Sequence, residues 1–262
     1  MIGYIASILI GVLLGVIGGG GSILTVPVLV YLFGVLPVTA TAYSLFIVGV
    51  TSIVGSITYF KKGLVHIQTA IVFGIPSIIA VYLTRKFLLP AIPEHIGQIG
   101  NFLLSKDILL MLLFAVLMIV AAYSMLRKEK GDRKLIPSKQ QFNYPMILLE
   151  GTFVGMLTGL VGAGGGFLII PALVLLSKLP MKEAIGTSLV IIAAKSLIGL
   201  TGEIGHVGLD WQFLLLISSL SIMGIFLGMY LSKFINSNQL KPGFGVFVLV
   251  MGVYILVKEI WL

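Results

Sequence analysis

The sequence predicts an all-α polytopic membrane protein made of two inverted-topology repeats of about five transmembrane segments each. Three observations carry this expectation. Hydrophobic residues make up 58% of the chain and charged residues only 10%, with a mean hydropathy of +1.16, a composition from which no water-facing surface can be built. Apolar runs of helical length recur along the chain, and the short alternating segments of a membrane barrel are missing. A shift of 144 positions superposes the first half on the second.

At roughly 20 apolar residues per crossing, 262 residues have room for about eight to ten membrane helices and no soluble domain. Hydropathy and helix breakers place ten segments, at about 2–17, 22–35, 40–60, 67–88, 107–126, 145–161, 166–177, 183–202, 211–232 and 242–260. The first has no basic stretch ahead of it and no small-x-small cleavage site, so it reads as a retained helix. Segments two and seven follow glycine runs and are short. A 13-residue helix spans roughly 20 Å against a hydrocarbon core of roughly 30 Å, so the glycines must supply non-helical backbone, which membranes tolerate only inside protein or along a wet cavity. Between segments five and six lies the one hydrophilic linker, Arg127-Lys128-Glu129-Lys130-Gly131-Asp132-Arg133-Lys134, continuing to Lys139. It divides the chain into a first transmembrane repeat, 1–126, a basic cytoplasmic linker, 127–144, and a second repeat, 145–262.

The repeat is carried by residues that composition alone does not match. The shift of 144 pairs Gly11 with Gly155, Gly15 with Gly159, Gly18 with Gly162, Gly20 with Gly164, Gly21 with Gly165 and Pro27 with Pro171. It also pairs Ala40 with Ala184, Ser44 with Ser188, Leu45 with Leu189, Ser52 with Ser196 and Gly55 with Gly199. Beyond Gly55 the register slips by one, setting Gly63-Leu64-Val65 opposite Gly208-Leu209-Asp210. Topology follows from charge. If all ten segments cross, twelve Lys and Arg fall on the linker side and four (Arg85, Lys86, Lys106 and Lys258) on the other; if segments two and seven dip in and return, the ratio drops to nine to seven. The positive-inside rule favours ten crossings. Five crossings per repeat is an odd number, which inverts the halves, as in alternating-access transporters. The net charge of +8 therefore marks cytoplasmic loops rather than a nucleic-acid partner.

Two stretches organise the chain: Gly18-Gly19-Gly20-Gly21-Ser22-Ile23-Leu24-Thr25-Val26-Pro27 and Gly162-Ala163-Gly164-Gly165-Gly166-Phe167-Leu168-Ile169-Ile170-Pro171. A helix restarting after glycines directs unpaired N–H groups and the positive end of its dipole at whatever lies ahead, which suits an anion. In an inverted repeat the restarts at Ser22 and Gly166 frame one site from opposite sides. Gly11-x-x-x-Gly15 and Gly155-x-x-x-Gly159 read instead as helix packing.

The pattern Gly-x-Gly-Gly-x-x-x-x-x-Pro, then Ala-x-x-x-Ser-Leu (Ala40 to Leu45, Ala184 to Leu189), then Gly-x-(Val/Leu)-(Asp/His), in both halves of a small polytopic chain, resembles the TauE/SafE family of sulfite exporters and related anion permeases. The resemblance covers nearly the whole chain. It implies a secondary transporter of the bacterial or archaeal inner membrane that handles sulfite, sulfonates or other small anions by alternating access. Val65 departs from Asp210 of the second repeat, which argues against a function that needs an acid in both halves. The absence of cysteine argues against a thiol relay.

The candidate substrate-binding residues are Gly18, Gly20, Gly21, Ser22, Ser44, Gly162, Gly164, Gly165, Gly166, Thr187, Ser188 and Lys195. The hydroxyls are hydrogen-bond donors for an oxyanion, or else satisfy their own helix carbonyls. Lys195 falls halfway along segment eight, where a charge costs at least a few kcal/mol unless it meets a partner or a polar cavity; its repeat counterpart is Thr51. Glu203, His206 and Asp210 follow segment eight and are candidates for proton coupling. The alternative to a transporter is an anion-selective channel using the same dipoles. An enzyme is not expected, because there is no His-Glu-x-x-His, Gly-x-Ser-x-Gly or paired-acid motif, and no phosphate loop for a primary pump. No cofactor and no metal are implied.

Overall fold

The computed structural model describes residues 2–99, 102–126, 144–162, 164–175, 177, 179–203, 207–235 and 237–261. The linker at 127–143 and the candidate His206 lie outside the described residues. Among the described residues ten helices run in chain order: α1 Ile2–Ile17, α2 Gly20–Phe33, α3 Pro37–Lys61, α4 Ile67–Ala91, α5 Lys106–Leu126, α6 Tyr144–Val161, α7 Gly166–Leu175, α8 Met181–Thr201, α9 Trp211–Leu231 and α10 Ser237–Trp261. They follow the ten apolar segments. One element has no counterpart in the hydropathy profile, an antiparallel hairpin of β1 His95–Ile99 and β2 Phe102–Ser105 between α4 and α5. The chain is an all-α polytopic membrane protein in which six of the described helices are long and apolar enough to cross a bilayer; α1 and α2 are shorter apolar helices. Ile67, Ile71, Ile75 and Ile79 form a four-spaced row on α4, each 52% to 54% exposed, which is the lipid-facing stripe of a membrane helix.

Local chemistry sets the ends of the helices. Pro37 opens α3 at its first position, where a missing N–H costs nothing. His66 caps α4, its ring accepting from the Thr69 N–H at 3.3 Å, and Asp210 caps α9 by accepting from the Phe213 N–H at 3.1 Å. These caps are 144 positions apart, so the repeat register is restored there. The counterpart of Asp210 is His66 rather than Val65, and the slip at Gly63 is local.

Small residues bring the helices together. A Cβ on Gly11 or Gly15 of α1 would collide with the backbone of α9 at Ser221 and Ile225, and one on Gly224 or Gly228 would collide with α1 at Ile8 and Val12. Gly151 and Gly155 of α6 meet the α4 backbone in the same way at Phe73 and Ser77, and Gly159 lies on the Thr84 side chain. In both pairs the residue numbers rise together, so the helices run parallel at backbone contact. At the centre α3 crosses α8 antiparallel, with Gly49 on Leu197, Gly55 on Leu189 and Gly186 on Leu64. On the outside α5 and α10 are also antiparallel, with Gly245 on Leu126 and Gly252 on Met118.

Candidate functional site

Both glycine runs interrupt helices, and they do so differently. After α1, Gly18 turns at φ +73° and α2 begins at Gly20. After α6, Gly162, Gly164 and Gly165 take φ of +75°, +62° and +67° before α7 begins at Gly166. An L side chain at such dihedrals costs roughly 1–2 kcal/mol per residue, so three of the glycines in the second run are required by backbone conformation. The resulting non-helical stretch is buried in protein, the setting that membrane depth demands.

The two runs meet. A Cβ on Gly19 would overlap the Cα and carbonyl of Gly166, and one on Gly166 would overlap Gly19. Each run also lies on the central helix of the other half of the chain. Gly18 faces Ile185 and the Ser188 hydroxyl of α8, while Gly162 faces Thr41 of α3 and its carbonyl accepts a hydrogen bond from Ser44. Ser44 and Ser188 are repeat counterparts, so the contact is reciprocal. Gly164 lies between Val48 of α3 and Ile192 and Ser196 of α8, near the middle of the α3/α8 crossing. Gly165 faces Thr158 of α6 and the Lys195 ammonium.

The sequence-derived candidates therefore gather in one buried region, with several hydroxyls committed to backbone. Ser22 donates to the Gly19 carbonyl at 2.6 Å, Ser44 also reaches the Thr41 carbonyl at 2.8 Å, and Ser188 donates to the Ile185 carbonyl at 2.8 Å. Thr187 accepts from the His66 N–H at 2.9 Å, which ties α8 to the turn before α4. Gly21 packs on Ile10 and Leu14 of α1, and Gly20 starts α2. Two buried hydroxyls in the region, Ser52 and Ser196, meet no partner among the described residues.

Three charged side chains are buried among the described residues: Arg85, Lys195 and Glu203. Lys195 is 0% exposed and donates to the Thr158 hydroxyl at 2.9 Å. Its ammonium has no acid within ion-pair distance among the described residues. Charge counting sets Arg85, at the end of segment four, among the basic residues on the side opposite the linker, but it lies wholly inside the protein. It occupies a π-helical turn, Thr84–Leu88, within α4, the kind of irregularity that concentrates at functional positions. Its Nη1 donates to Glu203 and to the Thr41 hydroxyl, each at 3.0 Å. Glu203 is thus an ion-pair partner of Arg85, whereas Asp210 is an exposed helix cap. Sequence reasoning misses Arg85 because, beside Lys86, it has the look of an interfacial anchor. The available signal is its position 18 residues after the start of an apolar segment.

The comparisons with known proteins agree with this architecture. A family model described as "Sulfite exporter TauE/SafE" matches residues 4–255. A probable membrane transporter protein of Xylella fastidiosa is 30% identical over 256 residues, covering 95% of this chain and 91% of its own. The probable membrane transporter protein YunE of Bacillus subtilis is 24% identical over 275 residues, 98% of this chain and 99% of its own. A probable membrane transporter protein of Methanocaldococcus jannaschii is 32% identical over 116 residues, 42% of this chain and 43% of its own. No solved structure matches.

Proposed function

As this chain belongs to the TauE/SafE sulfite exporter family of membrane transporters, we propose that it moves a small sulfur-containing or organic anion, such as sulfite or a sulfonate, by alternating access around the meeting point of its glycine runs. The observation that carries this reading is Lys195: a fully buried ammonium whose partner is a neutral hydroxyl, placed against Gly165 one residue ahead of α7. A buried cation without a counter-charge is costly, and an anionic substrate supplies that charge. The adjacent start of α7 adds the positive end of its dipole. The antiparallel α3/α8 and α5/α10 pairs and the reciprocal Ser44–Gly162 and Ser188–Gly18 contacts support two inverted repeats rocking about that point.

The test is counterflow in proteoliposomes holding the purified chain, with sulfite, sulfate, ethanesulfonate and acetate, each with and without a proton gradient. Saturable exchange stimulated from the opposite side supports the transporter. Flux that rises linearly with concentration and shows no such stimulation would establish a pore instead. Acceleration by the gradient would support proton coupling, for which Glu203, His206 and Asp210 are the candidates. Gly164→Val places a β-branched side chain at a left-handed φ against Val48, and should abolish exchange in a protein that still inserts.

A further inference from the structure

The guanidinium of Arg85 is used on one side only. Nη1 binds Glu203 and Thr41, while Nε and Nη2, both buried, have no hydrogen-bond partner among the described residues. Nη1 is the nitrogen cis to Cδ, so Nε–H and one Nη2–H point the same way, side by side. That edge is the fork that receives two oxygens of a carboxylate, sulfonate or phosphate group. Nη2 lies against Gly162, where a Cβ would collide with it, so the unpaired side of the guanidinium borders the same glycine run that Lys195 meets at Gly165. Those two glycines are three positions apart, and a chain of that length spans at most about 10 Å. Both buried cations therefore serve one loop.

We propose that Arg85 is a substrate-coordinating residue, whose Nε/Nη2 edge grips two oxygens of an oxyanion at the Gly162 end of the run while Glu203 holds the guanidinium in place from Nη1. This rests on the reading of the chain as an anion transporter and adds to it a residue and a ligand geometry. With Lys195 protonated, Arg85, Lys195 and Glu203 together carry one positive charge beside the run, which fits a monoanion. The cluster is also one-sided. The matching place in the first repeat holds Thr58 and Tyr59, neither of them an acid, and the Tyr59 hydroxyl donates to the Gly15 carbonyl at 3.2 Å, so the gripping end belongs to one face of the molecule only. An anion is therefore held differently at the two ends of its path.

The experiment measures binding of ethanesulfonate, sulfite and bromide to the full chain in nanodiscs, by radioligand displacement. Bromide has the charge and no fork-compatible oxygens. Arg85→Lys keeps the charge and loses the fork. It should weaken ethanesulfonate and sulfite by about tenfold to a hundredfold, as expected for losing a charge-assisted pair, and leave bromide within about threefold, so that the preference for oxyanions collapses. The double variant Arg85→Gln/Glu203→Gln removes both charges of the pair, so that neither partner is left uncompensated, which guards against a folding failure, and should show the same loss of preference. Unchanged oxyanion preference in either folded variant overturns the proposal and leaves the transporter reading standing. A wild-type chain that binds none of the three anions overturns both.

Discussion

Gly19 and Gly166 touch backbone to backbone, one from each half of the chain, and neither position has room for a methyl group. Because the obstruction on each side is main chain, no change of rotamer relieves it. Gly19→Ala and Gly166→Ala should each destabilise the protein by about 1–3 kcal/mol, the usual cost of overpacking. Gly97, where an added methyl group would meet nothing within 4 Å, is the control, and Gly97→Ala should stay within about 0.5 kcal/mol. Thermal unfolding in detergent reads both. Equal melting temperatures for all three variants would mean that the runs do not meet in the membrane.

Lys195 allows stability and affinity to be separated. Thr158 already donates its own hydrogen to the Gly155 carbonyl at 3.1 Å, so it accepts from Lys195 and is left satisfied when the ammonium is removed. Lys195→Met, similar in length and apolar, should therefore keep or raise thermal stability, because it removes a buried charge that has no counter-ion. It should also lower anion affinity. Loss of stability with affinity intact would make Lys195 a structural residue.

Arg85 and Glu203 should behave as a unit. Breaking a buried ion pair from one side leaves an uncompensated charge and costs about 3–5 kcal/mol, while replacing both partners with apolar residues is often neutral. Arg85→Met and Glu203→Leu should each be strongly destabilising, and the double variant should recover most of the loss. A double-mutant cycle on unfolding measures this directly. Additive losses would show that the two side chains do not share one buried bridge.

The helices are legible in the sequence because membrane helices announce themselves by length and apolarity, and the ten apolar segments fall within a few residues of the ten helices. Duplicated glycines, serines and prolines also locate the centre of the molecule, since Gly162, Gly164 and Gly165 do take conformations that other residues resist. What one chain cannot display is which distant residues meet. Arg85 and Glu203 are 118 positions apart, and neither carries a local mark of the other, so each reads as part of a flank or loop. The committed hydroxyls of Ser22, Ser44 and Ser188 are hidden for the opposite reason. Hydrogen bonding to a carbonyl three residues back, or across to another run, leaves no trace in residue type. The β1–β2 hairpin escapes notice because its nine strand residues lie between hydropathy peaks.

Ser52 and Ser196 occupy equivalent positions of α3 and α8, both 0% exposed, and neither hydroxyl has a partner among the described residues. A desolvated hydroxyl that makes no bond is a net cost, so Ser196→Ala should leave stability unchanged or improve it by up to about 1 kcal/mol. Packing would be fully explained by that result. Ser196 also faces Gly164, the residue of the second run nearest the α3/α8 crossing, where an arriving oxyanion would find the hydroxyl free to donate. Anion affinity of Ser196→Ala should accordingly fall by about tenfold, the worth of one hydrogen bond to a charged group, even as melting temperature holds. Affinity unchanged at equal or higher stability would assign the hydroxyl to packing and confine the anion to the Gly162 and Gly165 ends of the run.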